Sequence, residues 1–212
     1  MKNFKNIILD YGNVLFEIDF NRAQEAFTNL GISDIDSFFS HKCHHAIFND
    51  LEVGKSTPEE FRNEIRAAAN NFSLSDKEID DAWNSLLIGI PNDDIHQLLL
   101  ELKAKYKLFL LSNNNEIHYN WIIDYLKRDF NIENYDNHFD KAYFSHHMKL
   151  RKPNLNIFEQ LIKEQSINPA ETLFIDDSPQ HLAGAKVLGF NTLLMDVKPQ
   201  YLRSFLEENK II

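Results

Sequence analysis

Short apolar runs alternate with amphipathic segments along most of the chain. Runs that are apolar on both faces and end in turn-forming residues predict buried strands, which lie at 6–9, 108–111, 142–144, 173–175 and 192–195. Apolar residues at helical spacing predict helices between and after these strands, at 93–105, 117–125, 156–163, 180–188 and 200–208. Because alternating strands and helices are joined by right-handed crossovers, the pattern predicts an α/β fold with a doubly wound parallel sheet.

The stretch from residue 19 to residue 87 breaks this alternation, since it contains helical patterns and no convincing strand. Capping boxes at 57–60 and 75–78 predict helices that extend to about residues 69 and 87. Two more helices are expected at 19–30 and 33–40. We therefore expect a core made of residues 1–16 and 92–212, with residues 17–91 inserted as an all-helical cap.

The composition excludes several classes of protein. Hydrophobic residues make up 43% of the 212 residues and the net charge is −10, which argues against nucleic acid or an anionic membrane as the main partner. Cys43 is the single cysteine, so no intrachain disulfide can form, and no apolar run approaches the roughly 20 residues that span a bilayer. The N-terminus has no secretory signal pattern, and we expect a cytoplasmic monomer or weak homodimer.

Polar side chains follow three of the predicted strands. Asp10 follows the first strand, Ser112 and Asn113 follow the second, and the pair Asp176 and Asp177 follows the strand at 173–175. Ligands of open α/β sheets bind at the carboxyl ends of the strands, so we expect these side chains to share one site.

These residue types suit phosphoryl transfer. A carboxylate such as Asp10 can attack phosphorus and form an aspartyl-phosphate, and Mg²⁺ prefers carboxylate oxygens together with substrate phosphate. Lys152, in a loop before the helix at 156–163, can bind a phosphate oxygen, and Ser112 and Asn113 can donate hydrogen bonds to it. The charges of three carboxylates are balanced by Mg²⁺ and one lysine, so the pocket need not repel an anion although the chain is acidic.

Four segments resemble the motifs of the haloacid dehalogenase superfamily, in the same order and across the whole chain. They are Ile-Ile-Leu-Asp10-Tyr-Gly-Asn-Val-Leu, Leu-Leu-Ser112-Asn, Arg-Lys152-Pro-Asn and Phe-Ile-Asp176-Asp177-Ser. The resemblance implies a Rossmann-like core with a helical cap after the first strand. It implies that Asp10 is the nucleophile and that Ser112 and Lys152 bind the transferring phosphoryl group. It also implies that Asp10, the carbonyl of Gly12 and Asp177 ligate magnesium directly, and Asp176 mostly through water.

One position departs from the superfamily pattern. Most of its phosphatases have a general acid/base Asp two positions after the nucleophile, where this chain has Gly12. A branch similar to bacterial α-glucose-1-phosphate phosphatase shares the Asp-x-Gly-Asn-Val pattern and the acidic stretch seen here at 17–22. We hypothesise that Asp19 or Glu17 partly replaces the missing acid.

The expected reaction is magnesium-dependent hydrolysis of a small phosphorylated metabolite such as a sugar phosphate, with the cap selecting the substrate. The turn at 51–56 is the candidate for reaching the site, and Lys55 on it would contact the non-phosphate part of the substrate. Two alternatives remain. The superfamily's dehalogenases also lack the second Asp, but they need no metal and lack a pair like Asp176 and Asp177; a catalytically weak phosphate-binding regulatory protein would also explain Gly12.

Overall fold

A parallel five-stranded sheet lies at the centre of the protein, for which a computed structural model describes residues 4–32, 45–92, 94–135 and 137–212. The helix predicted at 33–40 lies outside the described residues. The strands of the whole described chain are β1 Asn6–Leu9, β2 Glu17–Ile18, β3 Leu87–Gly89, β4 Lys107–Ser112, β5 Lys141–Phe144, β6 Thr172–Asp176 and β7 Asn191–Leu194. The sheet has the order β5-β4-β1-β6-β7, so β1, β4 and β6 are central neighbours.

Helices cover both faces of this sheet. The α-helices described are α1 Phe20–Asn29, α2 His45–Glu52, α3 Pro58–Ala68, α4 Asp76–Asn84, α5 Asp94–Lys103, α6 Glu116–Phe130, α7 Ser145–Met148, α8 Leu155–Gln165, α9 Pro179–Val187 and α10 Leu202–Glu208. On one face α8 and α9 pack against Ile8, Phe109 and Phe174. The other face packs against α5, α6 and α10. The doubly wound α/β fold is thus confirmed, because successive residues of a strand point to opposite faces and both sets are apolar.

The segment between β1 and α5 is mainly helical, as the sequence predicts, and we call α1–α4 with β2 and β3 the cap. Both predicted capping boxes are present: the Thr57 side chain accepts from the Glu60 N–H while the Glu60 carboxylate accepts from the Thr57 N–H, and Ser75 and Glu78 do the same. Phe27, Phe61 and Trp83 pack together inside the cap. They belong to the same apolar cluster as the side chains on one face of the sheet.

The ends of the cap differ from the all-helical prediction. β2 and β3 pair antiparallel where the chain leaves and re-enters the core, and the helix predicted to reach residue 87 ends at Asn84. Strands of two and three residues are too short to show an alternating pattern, so only their pairing in the folded chain identifies them. The division into a core of residues 1–16 and 92–212 and a cap of residues 17–91 stays a prediction.

None of the helices in the described ranges has the length and apolar character needed to cross a membrane.

Candidate active site

Three central strands deliver polar side chains to one edge of the sheet. Because β1 pairs in register with both β4 and β6, Asp10, Ser112 and Asp176 emerge side by side at the carboxyl ends. All three are buried, with exposed fractions of 7%, 3% and 0%. We call Asp10, Ser112, Lys152 and Asp176 the strand-end site.

Lys152 lies at the centre of this site and is fully buried. Its Nζ atom is 2.7 Å from Asp10 Oδ1 and 2.6 Å from Asp176 Oδ2. A buried ammonium is costly unless it is paired, and here two carboxylates pair with it. The site therefore has a fixed positive charge between the carboxylates of Asp10 and Asp176.

Asn113 holds the backbone of Lys152 in place. Its Nδ2 donates to the Lys152 carbonyl at 3.0 Å, and its Oδ1 accepts from the Lys152 N–H at 2.9 Å. The side chain of Asn113, predicted to bind substrate, thus has both ends of its amide on Lys152. The Ser112 hydroxyl donates only a long hydrogen bond of 3.3 Å, to the Asn113 carbonyl.

The two carboxyls beside Lys152 differ in their acidity. Burial raises the pKa of Asp10 to about 7, although the Lys152 ammonium opposes this shift. Burial also acts on Asp176, but Lys152 and a hydrogen bond from His181 outweigh it and lower the pKa of Asp176 to about 2. Desolvation alone would lower the pKa of Lys152, yet the two carboxylates raise it, so Lys152 stays charged.

Asp177 and Asn13 lie next to this group. Asp177 Oδ2 accepts from Asn13 Nδ2 at 3.1 Å, and Asn13 Oδ1 accepts from the Ile18 N–H of β2 at 3.2 Å. Burial raises the pKa of Asp177, while the Asn13 hydrogen bond opposes the shift. Asn13 therefore connects a candidate metal ligand of the core to the strand that begins the cap.

Gly12 lies close to β2. A Cβ atom built on Gly12 would lie 3.0 Å from Ile18 Cδ1, the flexible end of that side chain, which would have to shift by a few tenths of an ångström. The packing around Gly12 therefore does not by itself exclude a larger residue.

The sequence pattern predicts a helix at 180–188 but gives no functional role to His181, which the structure places in the site. Its Nδ1 atom lies 3.0 Å from Asp176 Oδ1, and one ligand atom each from Asp10, Asp176 and His181 lie within 4.8 Å of one another. The signal available was its place in the first turn of the helix after Asp177, which directs it back to the strand end. The carboxylates of Asp10, Asp176 and Asp177 are hard oxygen donors, so this residue set suits Mg²⁺ better than a soft metal.

Glu17 lies in β2, and Asp19 follows this strand. Asp19 caps α1 by accepting from the Asn21 N–H at 3.0 Å, and Glu17 pairs with Lys198 at 2.8 Å. Both line a cavity of about 530 Å³ that also reaches Asn13 and Asp177.

The turn after α2 contacts the core, but through other residues than Lys55. Lys55 pairs with Asp50 at 2.9 Å and its side chain is 72% exposed. Glu52 faces the core instead: its carbonyl accepts from Ser145 Oγ at 2.6 Å, and its Oε2 lies 3.0 Å from Arg151 Nη2.

A cavity of about 80 Å³ lies between cap and core, and we call it the cap–core cavity. Its lining includes Gly12, Ser112, Glu52, Trp83 and His118. His118 Nε2 donates to the Trp83 carbonyl at 3.3 Å, since that oxygen can only accept, and His118 Nδ1 accepts from an asparagine side chain at 3.0 Å. Burial lowers the pKa of His118 to about 3, so the ring is neutral at pH 7.

The sequence of this chain is similar to those of known proteins. A family model of haloacid dehalogenase-like hydrolases matches residues 4–189. The chain is 34% identical over 193 residues to a D-ribitol-5-phosphate phosphatase from Bacteroides thetaiotaomicron, covering 89% of this chain and 90% of that protein.

Solved structures of this family also superimpose on this chain. An enzyme of the same family from Bacteroides thetaiotaomicron, solved as a magnesium complex, superimposes with a TM-score of 0.84 at 38% identity, covering 97% of this chain and 99% of that one. A predicted hydrolase of this family from Porphyromonas gingivalis gives a TM-score of 0.83 at 31% identity, covering 98% of each chain.

Proposed function

The chain belongs to the haloacid dehalogenase-like hydrolase family, and on that premise we propose that it is a magnesium-dependent phosphatase of a small phosphorylated metabolite. The observation that carries the proposal is the buried ammonium of Lys152, held between the carboxylates of Asp10 and Asp176 at the ends of neighbouring strands. This arrangement brings a nucleophile and a phosphate-binding cation to one point, which is what phosphoryl transfer requires.

In the proposed reaction Asp10 attacks phosphorus, the ester oxygen leaves, and water then hydrolyses the aspartyl-phosphate. Lys152 and Ser112 bind the phosphoryl oxygens, and Asn113 positions Lys152 through two hydrogen bonds. Asp10, Asp177 and the Gly12 carbonyl would hold magnesium directly, and Asp176 mostly through water. When bound, the ion supplies positive charge that neutralises the phosphate and keeps Asp10 ionised.

The relative that is a D-ribitol-5-phosphate phosphatase supports a phosphorylated sugar or polyol as substrate. A catalytic role for Asp19 and a substrate contact for Lys55 stay predictions from the sequence, as do a cytoplasmic location and a monomer or weak homodimer.

A metal-independent dehalogenase is the alternative reaction, and Asp177 argues against it. A third carboxylate beside Asp10 and Asp176 would oppose an anionic substrate unless a cation is bound. Halide release from a haloacid without added magnesium would favour the dehalogenase.

The test is phosphate release from a panel of sugar and polyol phosphates, D-ribitol-5-phosphate among them, with Mg²⁺ or with EDTA. The variants are Asp10→Asn and, as a matched control, Asp81→Asn, whose carboxylate is exposed on α4. We expect turnover that needs both Mg²⁺ and Asp10 and that survives in Asp81→Asn. Binding of phosphate with Mg²⁺ but without turnover of any ester would favour the regulatory protein instead.

A further inference from the structure

The leaving group of a sugar or polyol phosphate is an alkoxide, a strong base that needs a proton as the P–O bond breaks. Gly12 has no side chain that could supply that proton. A second element must therefore carry the acid. This inference rests on the proposed function.

Among the described residues that line the cap–core cavity, Glu52 has the only carboxyl group. His118 has both ring nitrogens engaged in hydrogen bonds, and burial lowers its pKa, so the ring is neutral and its one N–H, bonded to the Trp83 carbonyl, is not acidic enough to protonate the ester oxygen. The Tyr11 hydroxyl is bonded to the Tyr135 hydroxyl, and burial raises its pKa. We propose that Glu52 of the cap is the general acid and general base of the reaction.

The placement of Glu52 fits this role. Its backbone is fixed to the core by the Ser145 hydroxyl, and Glu52 lines the same cavity as Ser112 and Gly12. The Oε2 atom is buried and, within the described chain, has no hydrogen-bond partner, since Arg151 approaches it at 3.0 Å without hydrogen-bond geometry. By contrast, Asp19 and Glu17 line a different cavity, which reaches Asn13 and Asp177 but not Ser112, and their carboxylates already accept from the Asn21 N–H of α1 and from Lys198.

The charges around Glu52 suit a group that gives up a proton and takes it back. Burial raises its pKa, which favours the protonated acid, while Arg151 and Lys152 act in the opposite direction. Those two cations are the charged groups that face it, and His118 across the cavity is neutral. Arg151 would stabilise the carboxylate once the proton has left.

Bonds and protons balance over the two proposed steps. As an Asp10 oxygen forms its bond to phosphorus, the P–O(ester) bond breaks and the ester oxygen takes the Glu52 proton, which gives the neutral alcohol. Water then attacks phosphorus, its proton returns to the Glu52 carboxylate, and the bond from phosphorus to Asp10 breaks. Inorganic phosphate leaves and Glu52 is protonated again.

The experiment compares two esters in Glu52→Gln. The first is the best alkyl phosphate of the panel, and the second is 4-nitrophenyl phosphate, whose leaving group is stable as an anion. We expect kcat for the alkyl ester to fall about 10²- to 10⁴-fold, the usual size of a general acid–base contribution. With 4-nitrophenyl phosphate, Asp10 is still phosphorylated, so rapid mixing should show a stoichiometric burst of nitrophenolate followed by slow turnover.

Two further variants separate catalysis from a purely structural contact. Glu52→Asp keeps a proton and should recover part of the alkyl-ester activity. Arg151→Gln removes the ion pair but keeps the acid, so it should lose less than about 10-fold. The alkaline limb of its pH–rate profile should move to higher pH, because the cation that lowers the pKa of Glu52 is gone.

Several results would overturn the assignment. Equal losses on both esters without a burst, or a loss in Arg151→Gln as large as in Glu52→Gln, would mean that the ion pair only holds cap to core. Loss of alkyl-ester turnover in Asp19→Asn but not in Glu52→Gln would give the role to Asp19. If the wild type hydrolyses no phosphate ester, the proposed function itself is wrong; if turnover needs Asp10 but not Glu52, only this inference is wrong.

Discussion

At the strand-end site each buried charge has a partner, with Lys152 held between Asp10 and Asp176. Between cap and core, several buried polar atoms have no hydrogen-bond partner among the described residues: Glu52 Oε2, Ser56 Oγ, Trp83 Nε1, Asn84 Oδ1 and His146 Nε2. Leaving a buried polar atom without a hydrogen-bond partner costs about 1–3 kcal/mol, so such atoms are uncommon and point to a functional role. The comparison indicates that the strand-end site is preassembled, while the boundary between cap and core has polar atoms to which a substrate can bond.

The largest effect should come from the buried lysine of the core. Lys152→Met leaves two buried carboxyls without their cation, which should lower the free energy of unfolding by about 3–5 kcal/mol and abolish turnover. Urea unfolding at pH 7 without magnesium measures the first effect and phosphate release the second. The matched control is Lys55→Met, which removes an exposed ion pair of the cap and should cost less than about 1 kcal/mol.

The Lys55→Met variant also tests the substrate contact predicted for Lys55. A KM within about 3-fold of the wild-type value is expected, because Lys55 pairs with Asp50 away from the cap–core cavity. A much larger increase in KM would mean that the cap turn carries Lys55 to the substrate.

Asn13 joins the two regions, and its loss should have the next largest effect. In Asn13→Ala, Asp177 loses a hydrogen bond that orients it and β2 loses one hydrogen bond to the core. Loss of a residue that hydrogen-bonds to a metal ligand typically lowers metal affinity about 10- to 100-fold, which calorimetric titration with Mg²⁺ would measure. Unchanged affinity would show that Asp177 is positioned without Asn13.

Acid should weaken the contact between cap and core through His118. Its pKa is about 3 in the folded protein and about 6.5 in an unfolded chain, so unfolding takes up a proton between these values. Stability is therefore fully present above pH 6.5 and falls as the pH drops, by up to about 1.4 kcal/mol per pH unit. Chemical unfolding at pH 7 and pH 5 should show a smaller fall in His118→Gln; equal falls would contradict the account.

Gly54 should give the smallest effect, although a specific one. Its φ is +57°, and a Cβ there would overlap Lys149 Nζ and lie 2.7 Å from the His146 carbonyl oxygen. Gly54→Ala should cost about 1–2 kcal/mol from the backbone strain alone and also raise KM by displacing the turn that carries Glu52. Gly189→Ala is the matched control, with φ of +88° but its nearest contact at 3.9 Å, and it should leave KM unchanged.

The sequence predicts the parts whose signals are local. The strands at 6–9 and 108–111 and the box at 57–60 are confirmed, because apolar runs and capping residues act on their own neighbours. It misses β2, β3 and the contact of His181 with Asp176, because these exist only once distant segments meet. The orientation of Asn113 toward Lys152 and of Glu52 toward the core likewise depends on tertiary packing that no periodicity encodes.

The most direct test of the central claim is to trap the covalent intermediate on Asp10. The protein would be mixed with 4-nitrophenyl phosphate and Mg²⁺, quenched in acid and reduced with borohydride, which converts an aspartyl-phosphate to homoserine. Mass spectrometry of the peptide that contains residue 10 should find homoserine at that position, in the wild type and in larger amount in Glu52→Gln. Turnover of the ester with Asp10 unmodified throughout would show that water attacks phosphorus directly and would contradict the account.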